Sequence, residues 1–187
     1  MIIYLHGFNS SPHSGKAQYL KQYLDERGRG GEFICPHLPH RPYLALAVVE
    51  AEMAPQPKEK ITLVGSSLGG FYATWLAEKH NVRAVLINPA IEPHLGLRAY
   101  LGPQHVLRGE HYELTEEHLR EWEELFVKKV RPERYLLIVE TGDEVLDYRA
   151  AVRKFRGAKQ VVVQGGDHTL VTFPEQIPLI LEFAGMD

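Results

Sequence analysis

The sequence predicts an α/β fold built on a mainly parallel sheet of about six strands, with helices on both faces. Two observations carry this. Short apolar runs alternate with longer amphipathic stretches along the 187 residues. The short runs are apolar at successive positions rather than at every second one, as strands covered on both faces require. The length suits one domain with a sizeable core, so residues 1–187 are read as a single domain.

The elements follow in order. "IIYLHG" (Ile2 to Gly7) is a buried strand. "KAQYLKQYLDERG" (Lys16 to Gly28) is a helix, with Tyr19, Leu20, Tyr23 and Leu24 on one stripe and a glycine stop. "EFICPHLP" (Glu32 to Pro39) is a strand running into prolines, and "YLALAVVEAEM" (Tyr43 to Met53) is a helix. "ITLVGS" is the third strand, "LGGFYATWLAEKH" its helix and "VRAVLINPA" (Val82 to Ala90) the fourth strand. The rhythm then breaks. Glu92 to His111 carries glycines, two prolines and histidines without periodicity, and about 92–118 reads as a cap-like insertion, part helix and part loop. "EEHLREWEELFVKKV" (Glu116 to Val130) resumes as a helix. "RYLLIVETGDE" and "KQVVVQGGDH" are the last two strands, with "DYRAAVRKFRG" between them and "PEQIPLILEFAG" as the closing helix. No internal repeat or low-complexity tract interrupts the pattern.

Composition narrows the function classes. The chain is 44% hydrophobic and 24% charged, with a formal net charge of -3 and no Lys/Arg block, which argues against a nucleic-acid partner. The single cysteine, Cys35, reads as a buried thiol in a strand and suits a reducing compartment. "MIIYLHGFNSS" has no basic leader or small-residue cleavage site, and its apolar run is too short to span a membrane. The expectation is a cytoplasmic protein without a membrane span. The sequence does not set the oligomeric state.

In open parallel sheets, ligands sit beyond the carboxyl ends of the strands. The residues just after each strand are therefore the ones to inspect. "GSSLGG" follows the third strand and matches G-x-S-x-G, which puts Ser67 at the apex of a strand–helix turn. There the backbone is strained, small neighbours let strand and helix close in, and the helix N-terminus offers unpaired N–H groups to an oxyanion. His168, one of ten histidines, follows the last strand and a Gly-Gly turn on the same rim. The acid comes from the stretch after the fifth strand. Asp143 is favoured there, with Asp147, which an N-cap role also explains, and Glu144 as alternatives. Asp167 adjoins His168 and reads as a turn residue. His37 and His40 lie in a Pro-rich loop without partner ligands, so no metal site is expected. "GSSLGG" lacks the lysine of a phosphate-binding loop.

The chain resembles the α/β-hydrolase superfamily in its order Ser67, Asp143, His168. More narrowly, "YLHGFNSSPHSGKA", "VGSSLGGFYATWLA", "NPA", "TGDEVLDYR" and "GGDHTL" resemble the YqiA-like family of small bacterial esterases. The resemblance implies a compact α/β-hydrolase fold without the two leading antiparallel strands of larger members. It implies hydrolysis of carboxylic esters, with thioesters such as acyl-CoA among the candidates, and no cofactor. It assigns the nucleophile to Ser67, the acid to Asp143 and the base to His168, and the oxyanion donors to the backbone N–H groups of Phe8 and Leu68. Where larger relatives carry an HGGG-type stretch, this chain has His6-Gly7-Phe8.

Asn9, Ser10, Phe71, Tyr72 and Tyr100 are candidates for contact with a small-molecule ester, together with Leu95, Leu97 and Leu101 of the insertion. Core packing or turn hydrogen bonds are the competing explanation for each. Two rival functions remain: another hydrolase on the same triad, such as a peptidase or lactonase, and a non-catalytic interaction module on this scaffold.

Overall fold

The computed structural model describes residues 1–107 and 109–186. Six strands form one sheet: β1 (Ile2–Leu5), β2 (Phe33–Ile34), β3 (Thr62–Ser66), β4 (Arg83–Ile87), β7 (Tyr135–Glu140) and β8 (Lys159–Val163). Their order is β2-β1-β3-β4-β7-β8, and every neighbouring pair is parallel. They follow the six apolar runs, but the second strand, expected over Glu32 to Pro39, is only the two residues Phe33 and Ile34. Because side chains alternate across a strand, each run feeds two cores. Ile3, Leu5, Leu63, Leu86 and Leu137 pack on one face, and Ile2, Tyr4, Val64, Val85 and Leu136 on the other.

The first core is covered by α2 (Pro42–Met53), α3 (Leu68–His80), α5 (Glu116–Glu124) and α6 (Tyr148–Lys154). The second is covered by α1 (Gly15–Asp25) and α7 (Phe173–Ala184). From β1 the chain moves outward to β2 along the α1 face, then returns past β1 to β3 along the α2 face. Strand order reverses there, so a crevice opens beyond the carboxyl ends of β1 and β3.

Two expectations need correction. The excursion after β4 contains α4 (Pro93–Gly96), but also an antiparallel hairpin of β5 (Gly102–His105) and β6 (His111–Leu114). Its strands read "GPQH" and "HYEL", too polar and too glycine- and proline-rich to signal strands. The helix expected to run to Val130 ends at Glu124. The Phe126 N–H reaches back to Glu123 O, tightening the last turn, and Lys154 Nζ donates to the Val127 carbonyl and holds the chain off the helical path. Among the described residues, no helix is long and apolar enough to cross a membrane.

Candidate active site

Ser67 stands between β3 and α3 with φ 54° and ψ −119°, a strained conformation for a residue with a side chain. Three contacts fix it. Its N–H donates to Ile87 O at 3.0 Å, and its carbonyl accepts from Gly70 N–H at 2.9 Å and Ala90 N–H at 3.0 Å. The turn closes only because its neighbours lack side chains. A Cβ on Gly70 would meet Pro89 Cβ at 2.6 Å, and one on Gly65 would lie 2.7 Å from Gly70 Cα. The strain aims the Ser67 hydroxyl out over the crevice.

His168 reaches this hydroxyl from the segment between β8 and α7. Its Nε2 lies 3.0 Å from Ser67 Oγ, and its Nδ1 lies 2.8 Å from Asp143 Oδ2 and 3.0 Å from Oδ1. With Nδ1–H donating to the carboxylate, Nε2 is free to accept the serine proton. The Asp143 carboxylate is almost fully buried, with 1% of its side chain exposed. Burial alone would raise its pKa, but hydrogen bonds from His168 and from the N–H groups of Leu146 and Val145 outweigh it and hold the carboxyl below its ordinary value. Asp143 is thus an anion facing the imidazole. The other acids have different tasks. Asp147 caps α6, its Oδ1 accepting from Arg149 N–H at 3.0 Å, and Glu144 Oε2 accepts from His168 N–H at 3.0 Å.

Phe8 and Leu68, whose N–H groups the sequence suggests as oxyanion donors, both line the cavity beside Ser67. Leu68 opens α3, so its N–H is among those a helix leaves unpaired. Phe8 follows β1 and lines the same cavity. Its peptide is oriented by His6, a buried residue whose Nε2 accepts from Leu38 N–H at 3.1 Å. Nδ1 must then carry the proton, and it donates to Gly7 O at 3.1 Å. Ser10 N–H donates to that same carbonyl at 3.2 Å. In a trans peptide the Phe8 N–H points the opposite way, away from these two donors.

Burial pulls the His6 pKa down from 6.5 to about 4, against a smaller upward pull from the Gly7 carbonyl and with His37 adding to the fall. The unfolded chain therefore binds the proton first. Stability is fully present above 6.5 and is lost as pH falls toward about 4. The difference in unfolding free energy between wild type and His6→Asn shrinks by about 3 kcal/mol on going from neutral to acid pH. Urea titrations of both proteins across this window measure it. A difference independent of pH would contradict the assignment of a neutral, buried His6.

A cavity of about 420 Å³ opens beside Ser67 and His168. Phe8, Ser10, Ile91, Leu97, Tyr100 and Val145 are among its lining residues. Of the candidate contact residues, Ser10, Leu97 and Tyr100 face it, and Asn9, Phe71 and Tyr72 do not. Asn9 ties the loop after β1 to the hairpin, its Nδ2 donating to Gln104 Oε1 and its Oδ1 accepting from Tyr112 Oη, each at 2.8 Å. Phe71 and Tyr72 are buried in the core, and Tyr72 Oη accepts from Trp122 Nε1–H at 2.9 Å. Leu95 and Leu101 are exposed and outside the lining. His40 Nδ1 pairs with His118 Nε2 at 2.8 Å. Among the described residues, no three His, Cys, Asp or Glu side chains gather as a metal site. Cys35 lies just past β2 rather than within a strand and is half-buried; desolvation pushes its thiol up to about 12, which leaves it protonated.

Sequence reasoning assigned no task to the side chains of His6, Asn88 and Glu140. The signal for His6 was its place directly after a strand. The signal for Glu140 was a carboxylate ending the wholly apolar run "YLLIV".

Sheet order, turn and strand-end residues together define the α/β-hydrolase fold. Solved structures share it. Mouse alpha/beta hydrolase domain-containing protein 10 superposes with a TM-score of 0.76 at 15% identity, covering 98% of this chain and 89% of the other. Est1E from Butyrivibrio proteoclasticus, solved with ferulic acid bound, gives 0.70 at 16%, covering 97% and 86%. The monoacylglycerol lipase of Paleococcus ferrophilus gives 0.67 at 17%, covering 100% and 94%. At these identities the likeness shows the fold. Within it, the chain belongs to UPF0227, described as an uncharacterised protein family, whose model matches residues 1–185. A UPF0227 protein of Pectobacterium atrosepticum is 31% identical over 94 residues, 50% of this chain and 52% of the relative. One from Serratia proteamaculans is 28% identical over 148 residues, 79% and 77% of the two chains. The match to the first of these curated relatives spans about half its length.

Proposed function

We propose that the protein is a serine hydrolase that cleaves carboxylic esters, including thioesters, through an acyl-enzyme intermediate. One observation carries the reading. A strained serine, an imidazole and a buried carboxylate stand in a hydrogen-bonded line, 3.0 Å and 2.8 Å apart, at the wall of an apolar-lined cavity. Ser67 Oγ attacks the acyl carbon as its proton passes to His168 Nε2. Asp143 keeps the imidazole in the tautomer that can accept this proton and stabilises the imidazolium. The negative charge on the former carbonyl oxygen falls to the N–H groups of Phe8 and Leu68. His168 then gives its proton to the departing alcohol or thiol, leaving the acyl group on Ser67. Water repeats the sequence, with His168 as base, and releases the carboxylic acid. No step requires a metal or an organic cofactor.

The side chains lining the cavity favour an apolar acyl group, with Leu97 and Tyr100 as contacts for its far end. A panel of p-nitrophenyl esters, CoA thioesters, lactones and peptide amides tests the bond class, alongside labelling with a fluorophosphonate. Hydrolysis of esters or thioesters and covalent labelling at Ser67 are expected. A preference for amides would replace the esterase reading with a peptidase one. Absence of both turnover and labelling would leave a binding module.

A further inference from the structure

The segment that carries His168 has no regular secondary structure of its own. It lies between β8, which ends at Val163, and α7, which begins at Phe173. Leu170 within it has φ 58°, a left-handed conformation that is costly for a branched side chain. Something outside the segment must hold it in shape, and two buried side chains at strand ends do so.

Glu140, the last residue of β7, is 0% exposed. Its carboxylate points into the segment. Oε2 accepts from Asp167 N–H at 2.8 Å and Val171 N–H at 3.2 Å, and Oε1 accepts from Thr172 N–H at 3.0 Å and Thr172 Oγ1–H at 2.6 Å. Burial alone would make this carboxyl harder to ionise, but these donors outweigh it and lower its pKa below the ordinary value. Asn88, just beyond β4, works from the other side. Its Nδ2 donates to Asp167 O and His168 O, both at 3.1 Å, and its Oδ1 accepts from Glu140 N–H at 3.0 Å. Residues on both sides of His168, and His168's own carbonyl, are therefore fastened to two central strands. Gly166 before it belongs to the same device. A Cβ on Gly166 would lie only 2.8 Å from Glu140 Cγ and would collide with the carboxylate.

Resting on the triad reading above, we propose that Glu140 is a positioning residue. With Asn88 it clamps the 167–172 segment so that the His168 imidazole spans Ser67 and Asp143. Glu140 takes no proton in the reaction and touches no substrate. Its two oxygens suit the donors that the segment turns toward it, the N–H groups of Asp167, Val171 and Thr172 and the Thr172 hydroxyl. Glutamine in its place would turn an NH2 toward at least one of these donors, inside the protein, where neither finds another partner.

The test compares Glu140→Gln with wild type on a short p-nitrophenyl ester and on a fluorophosphonate. A reacting group displaced by about 1 Å costs on the order of 100-fold, so kcat and the labelling rate are expected to fall by roughly that factor while KM stays within about twofold. In a His168→Ala background the same substitution should change the residual rate by less than about twofold, because the group it acts through is gone. Kinetic parameters of Glu140→Gln within about threefold of an active wild type would overturn the positioning role and leave the triad reading intact. So would a loss of equal size in the His168→Ala background, which marks damage not routed through the imidazole. A wild type that neither turns over ester nor takes label overturns the triad reading first. If Glu140→Gln does not fold, Thr172→Val removes only the 2.6 Å contact. It is expected to lower kcat about tenfold at unchanged KM, and a wild-type kcat would overturn the inference.

Discussion

Replacing Ser67 by alanine is expected to lower kcat for ester hydrolysis by about a millionfold, His168→Ala by a similar factor, and the double variant by no more than either alone. The line of contacts is the reason. Serine is a weak nucleophile until a base takes its proton, and Nε2 at 3.0 Å is the base in reach. Without the hydroxyl the imidazole has nothing to activate. Without the imidazole the hydroxyl stays protonated. Each loss therefore already contains the other. Asp143→Asn should cost about ten-thousandfold, because an amide NH2 facing Nδ1 favours the tautomer that puts the proton on Nε2, where a base is needed. What remains in all four variants is expected to include the contribution of the cavity and of the proposed N–H donors, which the substitutions leave in place. Single-turnover rates on one ester measure the series. Losses that multiply in the Ser67, His168 double variant would show that the two side chains do not act as a unit.

The fold and the line of three residues were legible because their signals are local. A strand buried on both faces must be apolar at consecutive positions, so "ITLVG", "AVLI" and "YLLIV" announce themselves. A serine that must sit at φ 54° needs small residues around it, and those residues form a short motif. Which acid turns to the histidine was less visible. Asp143, Glu144 and Asp147 lie within one loop, and only the chain's path decides that the first meets the ring, the second caps the His168 N–H and the third caps α6. Contacts made by tertiary approach alone were not legible. The hairpin of β5 and β6 pairs polar residues that carry no strand pattern, and it is tied down by Asn9, 95 positions away from Gln104. Phe71 and Tyr72 follow the serine turn in sequence, yet the helix carries them into the core and away from the cavity. Asn9, Phe71 and Tyr72 share the neighbourhood of the site in sequence without facing its cavity.

The second large effect is on stability and comes from one hydrogen. Gly69→Ala is expected to destabilise the fold by about 4 kcal/mol or more, against a gain of about 0.5 kcal/mol from Gly15→Ala. Both glycines lie in first helical turns, so backbone propensity alone would favour alanine at each. Their surroundings differ. A Cβ at Gly15 meets nothing within 4 Å. One at Gly69 would drive into the Leu5 carbonyl, coming within 2.6 Å of its carbon and 2.8 Å of His6 O. Those atoms are main chain at the end of β1, which is hydrogen-bonded to β2 on one side and β3 on the other. Neither the sheet nor α3 can yield without breaking its ladder, so the strain cannot be relieved by a rotamer change. The same close approach sets how far the N-terminus of α3 stands from the loop of Gly7 and Phe8. In the proposed mechanism, the absent side chain thus also sets the distance between the N–H groups of Phe8 and Leu68. Thermal and urea unfolding of the two variants decide it. A Gly69→Ala protein as stable as wild type would mean that α3 does not lie against β1 as closely as these distances require.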